Sequence, residues 1–168
     1  FDSEDASWTY AEFQREVILV ANNLAKSGVV AGDKVLIHLD NCPEFLLSWF
    51  ACAHLGATAV STNTRSVARD LTYFVDFAEV SCAITQPSLA QLLRSSAPDV
   101  ESFFVTDGEV AGLEGNEFRP FSELLEEVVG TDVMQRTVDP WADLGIQFTS
   151  GTTSRPKAVL WTHANAIW

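Results

Sequence analysis

Lys34-Val35-Leu36-Ile37-His38-Leu39, then Pro43 to Leu55, then Gly56 and Ala57-Thr58-Ala59-Val60-Ser61-Thr62, is the stretch that decides the fold. The first run is apolar and β-branched, with Gly32-Asp33 before it and Asp40-Asn41 after it, and reads as a strand buried on both faces. Pro43 has a φ already suited to a first helical turn, and Gly56 supplies the left-handed exit twelve or so residues later. A second strand resumes at Ala57. Strand, helix and strand in that order predict a parallel pair joined by a right-handed crossover.

The same alternation extends in both directions. Upstream, Thr9-Tyr10-Ala11-Glu12 is a capping box, and Phe13, Val17, Val20, Ala21 and Leu24 follow at helical spacing until Gly28. Downstream, Ser66 is placed to cap a helix carrying Val67, Leu71, Phe74 and Val75, and Val80 to Thr85 is a third strand. Pro87 to Arg94 reads as helix, Ser102 to Thr106 as strand and Phe121 to Val129 as helix. The apolar run Leu144-Gly145-Ile146-Gln147-Phe148 is a further strand, and Ala158-Val159-Leu160-Trp161 reads as another. The fold class is therefore α/β, a mostly parallel sheet with helices on both faces. Ligands of such sheets sit at the carboxyl ends of the strands.

With 10 basic against 23 acidic residues, the formal charge of −13 repels phosphate backbones and excludes a nucleic-acid partner, so any nucleotide must be held by a dedicated local site. No apolar run reaches the roughly 20 residues of a membrane helix, and Asp2, Glu4 and Asp5 do not fit a signal peptide; the cytosol is the expected compartment. Cys42, Cys52 and Cys82 lack the paired spacing of a zinc site and are read as reduced, buried thiols. His38 and His54 are read as structural, and His163, close downstream of the last strand's loop, as a minor candidate for the site. The acidic segment from Asp107 to Asp139 is read as a solvated connection and surface helix, its carboxylates lacking metal-ligand spacing. The absent initiator Met, and an end at Trp168 just as a helix begins, are read as marks of a fragment.

The chemistry is concentrated in Thr149-Ser150-Gly151-Thr152-Thr153-Ser154-Arg155-Pro156-Lys157, directly after the apolar run. Backbone N–H groups around Gly151 can approach an anion unobstructed by a Cβ, hydroxyls can donate to its oxygens, and Lys157 supplies the compensating charge. An ordinary Ser/Thr-rich surface turn is the competing reading. Pro156 stiffens the backbone directly before the Lys and favours phosphate handling, with a nucleoside triphosphate as the ligand. The pattern is not G-x-x-x-x-G-K-[ST]: Pro156 stands where a second Gly is required, Ala158 stands where a magnesium-binding hydroxyl is required, and a strand follows instead of a helix.

This loop resembles the signature [ST]-[ST]-G-T-T-G-x-P-K-G of the AMP-forming acyl- and aryl-CoA synthetases, adenylation domains and luciferases. Trp8-Thr9-Tyr10-Ala11-Glu12-Phe13 is similar to that family's opening helix motif, and Leu55-Gly56-Ala57-Thr58-Ala59-Val60 to its second motif. His38 to Phe45, Trp49-Phe50 and Phe148 to Lys157 look most like the crotonobetaine/carnitine-CoA ligase branch. Ser154 replaces the usual Gly, at about 1–2 kcal/mol if φ there is positive. Ala158 replaces another Gly, and Ser61 and Thr64 replace two prolines.

The resemblance implies that residues 1–168 are the truncated amino-terminal part of an AMP-binding domain covering roughly a third of a full-length member. It implies a two-step reaction using ATP, Mg2+ and coenzyme A on a small-molecule carboxylic acid, with no nucleic-acid partner. It assigns phosphate binding to Thr149, Ser150, Gly151, Thr152, Thr153, Ser154 and Lys157, with Lys157 also catalytic, and assigns no metal ligand. The rest of the site would lie in the missing carboxyl-terminal part, so these residues alone are expected to be inactive. A non-catalytic phosphate-binding module and a peptide-synthetase adenylation domain remain as alternatives. The acid and the oligomeric state are not legible.

Overall fold

The computed structural model describes residues 7–106, 118–127, 137–149 and 155–167. Helix α1 (Tyr10–Lys26) starts on the capping box: the Glu12 N–H donates to Thr9 Oγ1 at 3.3 Å, and the Thr9 N–H donates to the Glu12 carboxylate at 2.8 Å. These bonds hold the Glu12 carboxyl below its ordinary range, the backbone bond to Thr9 contributing most. Strand β1 (Lys34–His38) leads to α2 (Pro43–Leu55), which ends on left-handed Gly56 at φ 79° as the sequence dictates. Strand β2 (Thr58–Ser61), α3 (Ala68–Ala78), β3 (Val80–Thr85), α4 (Pro87–Ser96) and β4 (Ser102–Val105) complete the alternation. Then come β5 (Phe118–Pro120), a 3-10 turn at Phe121–Leu125, β6 (Asp143–Thr149), β7 (Lys157–Thr162) and α5 (His163–Ile167).

Among the described residues these strands form one sheet in the order β5-β4-β3-β1-β2-β6-β7, parallel except where β7 runs antiparallel to β6. The alternating side chains of each strand divide between two cores. Val35, Ile37, Ala59, Ile84 and Phe104 point to one face and pack with α1 and α2. Leu36, Val60, Ala83, Phe103 and Ile146 point to the other and pack with α3 and α4. Helices thus cover both faces, and the residues between Val35 and Ile37 are fully buried.

Some local expectations change. Ser66 is not the cap of α3: Val67 occupies that position with no side-chain bond, because Asn63 closes a turn first, accepting from the Arg65 and Ser66 N–H groups at 2.9 Å each. The expected helix from Phe121 is a 3-10 turn that stops at Leu125, pinned where Asn23 Nδ2 donates to the Leu124 and Glu126 carbonyls at 3.0 and 2.9 Å. Residues 128 and 129 of that expected helix, and most of the acidic segment from Asp107 to Asp139, lie outside the described residues. Cys52 and Cys82 are free and buried, and burial raises both thiols, Cys82 to about 12. Cys42 is only half-buried, yet desolvation still lifts it to about 11. None of the three is a nucleophile at neutral pH. Among the described residues no helix is long and apolar enough to cross a membrane.

Candidate phosphate-binding site

Strand β6 is parallel to β2, with Ala59 opposite Gly145 and Ser61 opposite Gln147, so it delivers Thr149 to the carboxyl edge of the sheet. The chain leaves the sheet there and returns antiparallel, and Lys157 is the register partner of Thr149. The candidate loop is therefore the connection of a hairpin whose mouth is closed by its first and last site residues. Thr149 Oγ1 donates to the Lys157 carbonyl at 3.4 Å, and both side chains are exposed. Partners directly opposite in an antiparallel pair share a face. Alternation along β7 then puts Lys157 with Val159 and Trp161, and Ala158 on the α3 side, where it packs against the core with Phe148. The Ala in place of the usual Gly is thus accommodated in that packing. Ser150, Gly151, Thr152, Thr153 and Ser154 lie outside the described residues.

The α3 side of the hairpin is aromatic. Phe148 stacks on Phe74 with centroids 4.1 Å apart and an interplanar angle of 24°, while Tyr73 and Phe77 meet it at 6.1 and 6.0 Å. On the returning stem, the Tyr73 hydroxyl donates to the Pro156 carbonyl at 3.3 Å, and the Arg155 guanidinium lies 5.6 Å from the Tyr73 ring centroid. Arg155 stays exposed to solvent while resting on that aromatic face. A cleft of about 380 Å3 lies between α3 and this stem, lined by Arg69, Asp76, Tyr73 and Arg155 among others.

On the other face, Trp49, Gly145, Gln147, Trp161 and Ala166 border an apolar groove of about 170 Å3. Lys157 stands on the same face of the hairpin as Gln147 and Trp161. The two charged residues of the stem are thereby separated: Arg155 is held against α3, and Lys157 is presented on the opposite face.

The carboxyl ends of β1 and β3 carry a second polar group that the sequence reading missed. The Asp40 N–H donates to Gln86 Oε1 at 2.9 Å, Gln86 Nε2 returns a bond to Asp40 Oδ2 at 3.0 Å, and Thr64 Oγ1 donates to Asp40 Oδ1 at 2.7 Å. These bonds, Thr64 first and then Gln86, hold the Asp40 carboxyl below its usual range. Just beneath, His38 Nδ1 lies 2.9 Å from Thr62 Oγ1, and burial depresses the imidazole pKa although Asp40 opposes the shift. The connection leaving β1 runs to one side of the sheet and that leaving β3 to the other, which makes this crevice the topological switch point. Here Asp40 and Gln86 bridge it. The available signal was positional: each residue follows a buried strand by one or two places.

His163 is not brought to the loop. Its N–H donates to the Ala142 carbonyl at 3.2 Å, at the amino end of β6, so the length of β7, roughly 20 Å at strand rise, separates it from Lys157. Among the described residues no group of three or more His, Cys, Asp or Glu side chains could hold a metal ion.

A doubly covered, mostly parallel sheet with a hydroxyl- and lysine-bearing hairpin at its carboxyl edge defines an α/β domain of the adenylate-forming fold. The chain belongs to the AMP-binding enzyme family, whose model matches residues 1–168. It is similar to crotonobetaine/carnitine–CoA ligase of Escherichia coli, at 32% identity over 162 residues, covering 94% of this chain and 31% of the relative. Among solved structures it resembles apo MbtA of Mycobacterium smegmatis, with a TM-score of 0.81 and 30% identity over 96% of this chain and 30% of that one. Coronafacic acid ligase of Pectobacterium brasiliense shares the fold, with a TM-score of 0.82 at 15% identity over 97% of this chain and 31% of that one. The chain thus spans about a third of the length of the curated relatives it matches.

Proposed function

We propose that residues 1–168 are the amino-terminal part of an AMP-forming acyl-CoA ligase. In the first step a carboxylate attacks the α-phosphate of MgATP, giving an acyl-adenylate and pyrophosphate; in the second, the thiolate of coenzyme A displaces AMP and leaves a thioester. The first step sets an anion against a polyanion, so donors and a cation that hold the β- and γ-phosphates in line lower its barrier by positioning and electrostatic stabilisation. We assign hydroxyl donation to Thr149, Ser150, Thr152 and Thr153, with Ser154 beside them. Backbone approach falls to Gly151, and Lys157 neutralises the departing pyrophosphate. The metal travels on ATP as part of the substrate.

The observation that carries this reading is the hairpin register, in which Lys157 faces Thr149 at the carboxyl edge of the parallel sheet. In a chain of charge −13, an exposed lysine paired with a threonine at that edge is a local answer to an anionic ligand. The name of the Escherichia coli relative supports coenzyme A as acceptor and a carboxylic acid as substrate. We place the reaction in the cytosol, in keeping with the three free cysteines. The test is to incubate the full-length protein with MgATP, coenzyme A and carnitine-like, short-chain and aromatic acids, and to follow nucleotide and thioester. One class of acid should yield AMP and acyl-CoA in equal amounts. Release of ADP, or no AMP with any acid, would overturn the proposal.

A further inference from the structure

We propose that Tyr73 is a positioning residue for the phosphate loop, acting on the loop's returning stem and not on the substrate. This inference rests on the ligase reading above. Both described ends of the loop are gripped by α3, in different ways. The outgoing stem is held by packing alone, Phe148 stacked on Phe74 at 4.1 Å. The returning stem has polar fastening: the Tyr73 hydroxyl bonds the Pro156 carbonyl at 3.3 Å, and the Tyr73 ring carries the Arg155 guanidinium at 5.6 Å. Tyr73 also reaches Phe148 at 6.1 Å, so one side chain touches both stems.

The consequence falls on Lys157. Pro156 has a fixed φ, so anchoring its carbonyl sets the peptide that leads into Lys157, and the pairing with Thr149 continues from there. The cation–π contact keeps the Arg155 charge on the α3 side while Lys157 occupies the opposite face. Releasing Tyr73 would let the stem shift and return a second mobile cation to the loop. A misplacement of about 1 Å at a reacting centre can lower a rate about 10²-fold. The structural alternative, that Tyr73 serves only the aromatic core, predicts lost stability with unchanged chemistry per folded molecule.

The two half-reactions separate these possibilities, because only the first involves pyrophosphate. In the full-length protein, Tyr73→Phe removes the hydroxyl and keeps the ring, and Tyr73→Leu removes both. Three quantities are measured: acid-dependent exchange of labelled pyrophosphate into ATP, with kcat and KM for MgATP; thioester formation from a pre-made acyl-adenylate and coenzyme A; and the melting temperature. Tyr73→Phe should slow exchange about 3- to 10-fold, the loss of one net hydrogen bond. Tyr73→Leu should slow it about 10- to 100-fold. Thioester formation from the adenylate should be unchanged in both, and Tyr73→Phe should melt within about 4 °C of the wild type. Normal exchange in Tyr73→Phe, or equal loss in both half-reactions, would overturn the positioning role while leaving the ligase reading intact. A wild-type protein that exchanges no pyrophosphate with any acid would overturn the ligase reading itself.

Discussion

Strands β3 and β7 are each six residues long and belong to one sheet, yet they do opposite work. Val80-Ser81-Cys82-Ala83-Ile84-Thr85 is buried at every position except Ser81, between helices on both faces. Lys157-Ala158-Val159-Leu160-Trp161-Thr162 is equally apolar in its middle, but Leu160 is 51% exposed and Trp161 43%. The difference is position and direction. β3 lies inside a parallel set whose crossover helices necessarily cover it, whereas β7 is an antiparallel edge reached by a hairpin, with no crossover to bring a helix onto it. Apolar composition therefore marks both strands but explains only one; β7 is placed to return Lys157 opposite Thr149.

Substitutions in the two strand sets should sharpen that contrast. Phe103 of β4 is fully buried beside Phe118, with the Arg94 guanidinium over its ring, and Phe103→Ala should destabilise the chain by about 3–5 kcal/mol in urea unfolding. A loss below about 1 kcal/mol would show that the inner strands are not the core. A smaller effect is expected at His38, whose pKa is depressed by burial. The folded state takes up a proton less readily than the unfolded chain, so stability present above the ordinary value of 6.5 is lost as the pH falls through the lower folded value. His38→Gln should flatten the difference in unfolding free energy between about pH 7.5 and 5.5. His163, lowered likewise by desolvation, keeps some slope in the variant. A steeper slope would reverse the sign derived for His38. The smallest effect belongs to β7: Leu160→Thr should change stability of the 168-residue chain by no more than about 0.5 kcal/mol, and a cost like that of Phe103→Ala would place this edge in the core.

What could be read from the sequence was what local chemistry specifies. The Thr9 and Glu12 capping box, Pro43 and Gly56 around α2, and the limits of β3 all recur in the structure at the expected residues. Each is set by neighbours within a few positions. Strand β5 leaves no signal in the sequence because Phe118-Arg119-Pro120 is too short for a period to register, and it is held by distant groups: Arg119 lies over the Phe104 ring at 4.8 Å and donates to Ser27 Oγ at 2.9 Å. The end of α3 was equally silent, since the left-handed residue there is Glu79 at φ 55° and not a glycine. In the site, composition marked the loop and Lys157. The partners that orient its stems, Tyr73 and Phe74, looked like one stripe of an amphipathic helix, because a contact across 83 residues, Tyr73 to Pro156, leaves no trace in spacing. The bridge between Asp40 and Gln86, 46 residues apart, is silent in the sequence for the same reason.

In the proposed reaction Lys157, held opposite Thr149, neutralises departing pyrophosphate. The most direct measurement is the exchange of labelled pyrophosphate into ATP by full-length wild-type and Lys157→Ala proteins, with melting temperature recorded alongside. Lys157 is exposed, so the variant should melt with the wild type while its exchange rate falls by about 10²- to 10³-fold. An unchanged exchange rate in a normally folded Lys157→Ala protein would contradict the claim.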